Sequence, residues 1–103
     1  MKRYRVFTSY SLEEKLKKIK FTDWNRLEKL KRKLEVNPLA GKRLGKNLFE
    51  KKWGPFRIYY VIIEDILIVF LIEFSDKKEQ SRVVNYILAN WDQIIAEIRR
   101  SFI

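Results

Sequence analysis

Two runs of strand-forming residues, FRIYYVII at 56–63 and ILIVFLIEF at 66–74, constrain this chain more than any other feature. β-Branched and aromatic side chains favour extended backbone, where they pack on a pleated surface. Neither run alternates cleanly between apolar and polar residues. Neither therefore suits a sheet with one wet face, and both suit a sheet covered on both sides. Only Glu64-Asp65 separates them, so a tight turn should make them an antiparallel hairpin. If Ile63 lies opposite Ile66, Arg57 falls opposite Ile72.

Such a hairpin needs a layer on each face, and the rest of the chain offers candidates. Residues 4–9 alternate and predict a first strand. Ser11 and Glu14 have the spacing of a capping box, followed by Leu12, Leu16 and Ile19 at helical intervals. Thr22 and Asp23 suit the start of a second helix, with Trp24, Leu27, Leu30 and Leu34 facing inward. Asn37-Pro38 ends it, because the residue before proline avoids the helical region. Residues 39–45, with Gly41 and Gly45, read as a turn-rich connection. A strand at about 47–53 and a Gly54-Pro55 turn lead into the hairpin. Beyond Lys77 the pattern becomes helical, with Val83, Val84, Ile87, Leu88, Trp91, Ile94, Ile95, Ile98 and Phe102 in one stripe. This is one helix to the end or two with a break near Asn90. The expectation is an α+β fold in the order β-α-α-β-β-β-α: an N-terminal strand, an αα-hairpin, an antiparallel three-strand meander and a C-terminal helix. With 103 residues and no internal repeat, one domain over 1–103 is expected.

Composition excludes several chemistries. The chain has no cysteine and no histidine. Thiol chemistry and disulfides are absent, as are the commonest general base and the commonest metal ligand. Acid–base work must fall to Lys, Arg, Tyr, Asp or Glu, and neither a metal nor another cofactor is expected. The start, MKRYRVFTSY, lacks the apolar core of a secretory signal, and the long apolar stretch is broken by Glu64, Asp65 and Glu73. A cytoplasmic protein with no membrane partner is expected. The formal net charge is +10, unevenly spread: eighteen Lys and Arg against six Asp and Glu through Arg57, then five against seven. That asymmetry favours a polyanion or an acidic protein partner over a uniformly solvated surface.

Arg57 is the only charged residue within its strand. Alternation points it the same way as Tyr59 and Val61, away from Phe56, Ile58, Tyr60 and Ile62. An idle arginine in that setting is costly, and its planar fork suits a phosphate. Glu50 and Lys52 share one face of the preceding strand. Lys77 leaves the far end of the hairpin near Arg57. These four make a cluster able to cut RNA without metal or histidine. Arg57 would stabilise the phosphorane, and a lysine crowded by cations, or Glu50, would act as base. The plainer readings are that Glu50 pairs with a nearby lysine and that Lys77 and Lys78 are solvated at a helix start. Trp24, Trp91 and Tyr60 read as core, and Tyr59 and Trp53 as cover for the sheet ahead of the alternative, stacking on bases.

The segments NPLAGKRL, LFEKKWGPFRIYY and ILIVFLIEFSDKKEQ together resemble the RelE/ParE superfamily of type II toxin–antitoxin toxins. The resemblance spans about residues 26–85 and implies the element order already given. RelE-like members are ribosome-dependent endoribonucleases that cut mRNA and are neutralised by an antitoxin encoded beside them. By resemblance, Arg57 contacts the scissile phosphate, Lys51 or Lys52 is the basic residue of the preceding strand, and Lys77 stands where an arginine is common. Glu50 resembles a base of some subgroups. The family's C-terminal tyrosine would fall at Val83, and Tyr86, one helical turn later, is its candidate substitute. Lys42, Arg43, Lys46, Lys51, Lys78 and Arg82 are candidate RNA contacts. The implied partners are an acidic cognate antitoxin, the ribosome and mRNA. A ParE-like gyrase inhibitor without nuclease activity, or an inactive member, stays open as an alternative.

Overall fold

A computed structural model of the chain describes residues 3–102. Its elements in order are β1 (Arg5–Thr8), α1 (Tyr10–Leu16), α2 (Phe21–Val36), β2 (Lys42–Gly45), β3 (Leu48–Trp53), β4 (Phe56–Ile63), β5 (Ile68–Ser75), α3 (Gln80–Ala89) and α4 (Trp91–Arg100). The strands form one mixed sheet in the order β1-β5-β4-β3-β2, with β1 parallel to β5 and the other pairings antiparallel. The fold is α+β, as the element pattern predicts.

The two apolar strands lie side by side within the sheet, and helices cover both faces. On one face Ile58, Tyr60, Ile62, Val69 and Leu71 meet Leu12 and Leu16 of α1 and Leu27, Leu30 and Leu34 of α2. On the other, Tyr59, Val61, Ile63 and Ile68 meet Val83 and Ile87 of α3 and Ile98 of α4. Burial on both sides explains why the strands lack polar alternation. Among the described residues, no helix is long and apolar enough to cross a membrane.

Several local expectations are corrected. Ser9, not Ser11, caps α1: its Oγ accepts from the Leu12 N–H at 3.1 Å and donates to the Ile72 carbonyl at 2.8 Å. The backbone passes from β1 into the helix with no spacer, so the cap falls two residues early. α2 starts at Phe21 behind Lys20, whose side chain makes no capping bond, and Asp23 sits buried inside the first turn. Trp24 is 39% exposed, with the Lys31 ammonium 5.8 Å from its ring centre, so it is not core. The connection at 39–45 contains β2, which pairs with β3. Its glycines hide a strand imposed by its neighbour.

The hairpin turn is longer than two residues. A 3₁₀ turn covers Glu64–Ile66, and Leu67 takes a left-handed conformation at φ 55°. Ile63 therefore pairs with Ile68, a shift of two residues that preserves which face each side chain takes. A bulge between Tyr59 and Tyr60 adds one more residue, so Arg57 lies opposite Ser75 rather than Ile72. The C-terminal stripe is two helices, broken at Asn90.

Candidate active site

The geometry around Arg57 follows from strand register. Arg57 pairs with Lys52, Tyr59 pairs with Glu50, and Glu50 pairs on its other side with Lys42 of β2. Directly opposed residues of antiparallel strands share a face. Lys42, Glu50, Lys52, Arg57 and Tyr59 therefore occupy the face that α3 and α4 cover. Lys51 lies on the opposite face, opposed to Ile58, with its ammonium donating to the Ala40 carbonyl at 3.3 Å. Of the two lysines left open by the sequence, Lys52 is the one beside Arg57.

Glu50 is held from two sides. The Gln80 amide, in the first turn of α3, donates to Glu50 Oε2 at 2.6 Å. An Arg57 terminal nitrogen lies 3.8 Å from Glu50 Oε1, an ion pair too long for a hydrogen bond. Glu50 is only 6% exposed, whereas the Arg57 side chain is 22% exposed. Arg57 Nε is itself buried and has no partner among the described residues. Such an orphaned donor is rare enough in a folded chain to ask for an explanation.

Tyr59 and Ser75 complete the inner wall. Ser75 Oγ lies 2.8 Å from the Tyr59 hydroxyl and donates its one proton to the Asp76 carbonyl at 2.9 Å. The Tyr59 hydroxyl is then the donor toward Ser75. Burial pushes the Tyr59 phenol above its ordinary value and Glu50 adds to this, against the opposing pull of the Ser75 bond and Arg57. The sequence points to no site role for Gln80 or Ser75, and for Tyr59 it favours cover for the sheet over stacking on bases. The signals were faint: Tyr59 alternates in step with Arg57, and Gln80 ends the KKEQ segment.

The remaining candidates lie at varying distances from this centre. Lys52 is exposed on the same face as Arg57, and exposed Lys77 leaves the sheet two residues beyond Ser75. Tyr86 is 66% exposed and lines a separate cleft of about 660 Å³ with Phe70, Ile72, Arg82 and Ile94. Arg57, Glu50, Lys52 and Gln80 take no part in that cleft. Of the proposed RNA contacts, Lys42, Arg43, Lys46, Lys78 and Arg82 are exposed and Lys51 is half-buried. Arg43 Nε donates to the Lys46 carbonyl at 2.6 Å, the Lys46 ammonium lies 5.9 Å from the Trp91 ring centre, and Arg82 pairs with Glu79 at 2.6 Å. No group of three potential metal ligands exists among the described residues. The arrangement is a largely buried guanidinium backed by one buried carboxylate, with exposed Lys52 opposite it, which suits an anionic phosphoester.

No protein-family model and no curated protein sequence matches the chain. Solved structures do. An archaeal RelE–RelB complex from Pyrococcus horikoshii aligns with a TM-score of 0.67 at 17% identity, over 75% of this chain and 97% of that one. A RelBE toxin–antitoxin complex from Mycobacterium tuberculosis aligns with a TM-score of 0.66 at 21% identity, over 75% and 94%. The isolated E. coli RelE toxin aligns with a TM-score of 0.64 at 21% identity, over 82% and 98%. With an N-terminal strand, two helices, a strand meander and C-terminal helices, the chain has the fold of the RelE toxins.

Proposed function

We propose that this chain is the toxin of a type II toxin–antitoxin pair and acts as a ribosome-dependent mRNA endoribonuclease. One observation carries the reading: Arg57, partly exposed on an otherwise apolar strand, stands opposite an exposed lysine at the open end of the sheet. The fold shared with RelE toxins supports it.

The chemistry is an intramolecular displacement at phosphorus that needs no metal. The RNA 2′-hydroxyl gives its proton to Lys52 or Glu50, and the O2′–P bond forms. Arg57 faces the charge that gathers on the non-bridging oxygens. The P–O5′ bond then breaks, and the leaving 5′-oxygen takes a proton from Lys77. The products are a 2′,3′-cyclic phosphate and a 5′-hydroxyl. Ribosomes would present the mRNA, and an acidic antitoxin encoded next to this chain would neutralise the basic surface.

Translated mRNA on ribosomes supplied with the protein should be cut. Arg57→Ala should lower cleavage by about a hundredfold or more, the typical cost of losing a charge-stabilising group. Arg57→Lys should recover only part of it, since the charge returns without the fork. Wild-type cleavage no higher than that of Arg57→Ala would end this reading. The separation of Tyr86 from Arg57 favours a second one, a ParE-like gyrase inhibitor without nuclease activity. Inhibition of DNA supercoiling by a wild-type protein that cuts no mRNA would decide for it.

A further inference from the structure

The nuclease reading leaves two candidates for the group that takes the 2′-hydroxyl proton, and their burial separates them. A general base must come within hydrogen-bond reach of the hydroxyl it deprotonates. Glu50 is 6% exposed, and each of its oxygens already faces a protein group: Oε2 the Gln80 amide at 2.6 Å, Oε1 the Arg57 guanidinium at 3.8 Å. Lys52 is exposed and directly opposite Arg57.

We infer that Glu50 and Gln80 form a positioning pair for Arg57, Gln80 fixing the carboxylate and the carboxylate orienting the guanidinium, while Lys52 takes the proton. This rests on the nuclease reading for its chemistry, but not for its geometry. The groups facing Glu50 on its sheet face are Lys42 from β2, Lys52 from β3, Arg57 and Tyr59 from β4, and Gln80 from α3. Of these, only Gln80 is hydrogen-bonded to it. The amide therefore chooses which carboxylate oxygen stays turned toward Arg57. Without it, Glu50 is free to swing toward Lys42 or Lys52, and the guanidinium loses its fixed orientation. The buried Nε of Arg57, without a partner among the described residues, fits such a device, because this orientation is held by a charge at one end and not by a bond at Nε.

The test pairs kinetics with a signal that needs no activity. Glu50→Gln, Gln80→Met and the double variant are compared with Lys52→Met in ribosome-dependent cleavage. If Glu50 only positions Arg57, each single variant lowers kcat about tenfold and the double variant loses no more than either one, as members of one network do. Lys52→Met should lose about a hundredfold or more. In parallel, the ¹⁵N-labelled Arg57 Nε–H resonance should be sharp in the wild type, and should shift and exchange faster in both Glu50→Gln and Gln80→Met. A Glu50→Gln loss of about a hundredfold or more beside an intact Gln80→Met would make Glu50 the base and overturn the inference. An Arg57 Nε–H signal unchanged in both variants would also overturn it. A wild-type protein that cuts no RNA would end the nuclease reading, and the resonance would still decide the positioning pair.

Discussion

Tyr60 shows how one residue ties the connection at 39–45 to the sheet. Its hydroxyl donates to the Pro38 carbonyl at 2.7 Å and accepts from the Gly41 N–H at 3.0 Å. Gly41 has no room for a larger residue, because a Cβ there would collide with the Glu50 carbonyl and the Tyr60 hydroxyl. Burial pushes the Tyr60 phenol up from 10.0 to about 12, only partly offset by the Gly41 bond. An unfolded chain releases this proton near 10.0 while the folded chain keeps it, so the unfolded state binds fewer protons across that window. The resulting stability is complete below 10.0 and is lost as pH rises toward 12. Tyr60→Phe should cost about 1–3 kcal/mol at neutral pH, because two backbone groups lose a buried partner. It should also make the fall in stability between pH 10 and 12 shallower, though not flat, since Tyr59 is raised as well. Urea unfolding at neutral and alkaline pH measures both effects, and an alkaline slope as steep as that of the wild type would refute the assignment. Of this arrangement the sequence revealed that Tyr60 faces the core by strand alternation. Its two backbone partners depend on where the connection returns in space, which no local pattern encodes. Trp24 shows the converse: it has helical spacing, but it stands at the margin of the stripe and is 39% exposed.

At the level of elements, apolar periodicity was the legible signal and termini were not. The long runs at β4 and β5 and the stripes of α2, α3 and α4 are all visible, because burial on one face imposes a period. β2 was invisible, since four residues with a terminal glycine become a strand only by pairing with β3. The register of β4 on β5 is not legible because the turn holds a left-handed Leu67, a conformation that leucine seldom announces. Caps were misplaced for a related reason: Ser11 and Thr22 are good capping residues, but the backbone turns into its helices at Ser9 and Lys20. That misfit carries a prediction. Lys20 has the extended conformation of a cap, φ −69° and ψ 150°, with no side-chain oxygen to satisfy the free N–H groups of α2. Lys20→Asp supplies the oxygen and puts a negative charge at the positive end of the helix. It should stabilise the fold by about 0.5–2 kcal/mol, read as a higher urea midpoint at unchanged slope. A lower midpoint would mean that the lysine makes a contact worth more than a cap.

For the molecule as a whole, the uneven charge of the sequence becomes a division in space. The basic first part supplies β1, β2, β3 and, on one face of the sheet, α1 and α2, and the remainder, with more acidic than basic residues, supplies β5 and, on the other face, α3 and α4. The candidate site lies where the two meet, at the β3–β4 pairing under the start of α3. The sequence could place Arg57 and Lys52 there, because strand alternation and one short turn relate them. It could not place Gln80, whose approach depends on how α3 leaves β5. The same division predicts how RNA binding responds to salt. Each phosphate neutralised on a single strand contributes about 0.7 to the slope of log K against log salt. Only cations not already engaged by the protein should contribute in full. Lys42 and Lys78 are exposed and have no side-chain partner among the described residues, whereas Arg82 is paired with Glu79. Replacing both Lys42 and Lys78 with methionine should lower the slope by roughly 1.4, the contribution of two phosphates. Arg82→Met, which also frees Glu79, should change the slope by less than half as much per residue. Anisotropy titrations of a labelled single-stranded RNA across a salt series separate the cases. Equal slope changes for all three residues would show that the Arg82–Glu79 pair opens on binding, and that the free protein's ion pairs do not select its RNA contacts.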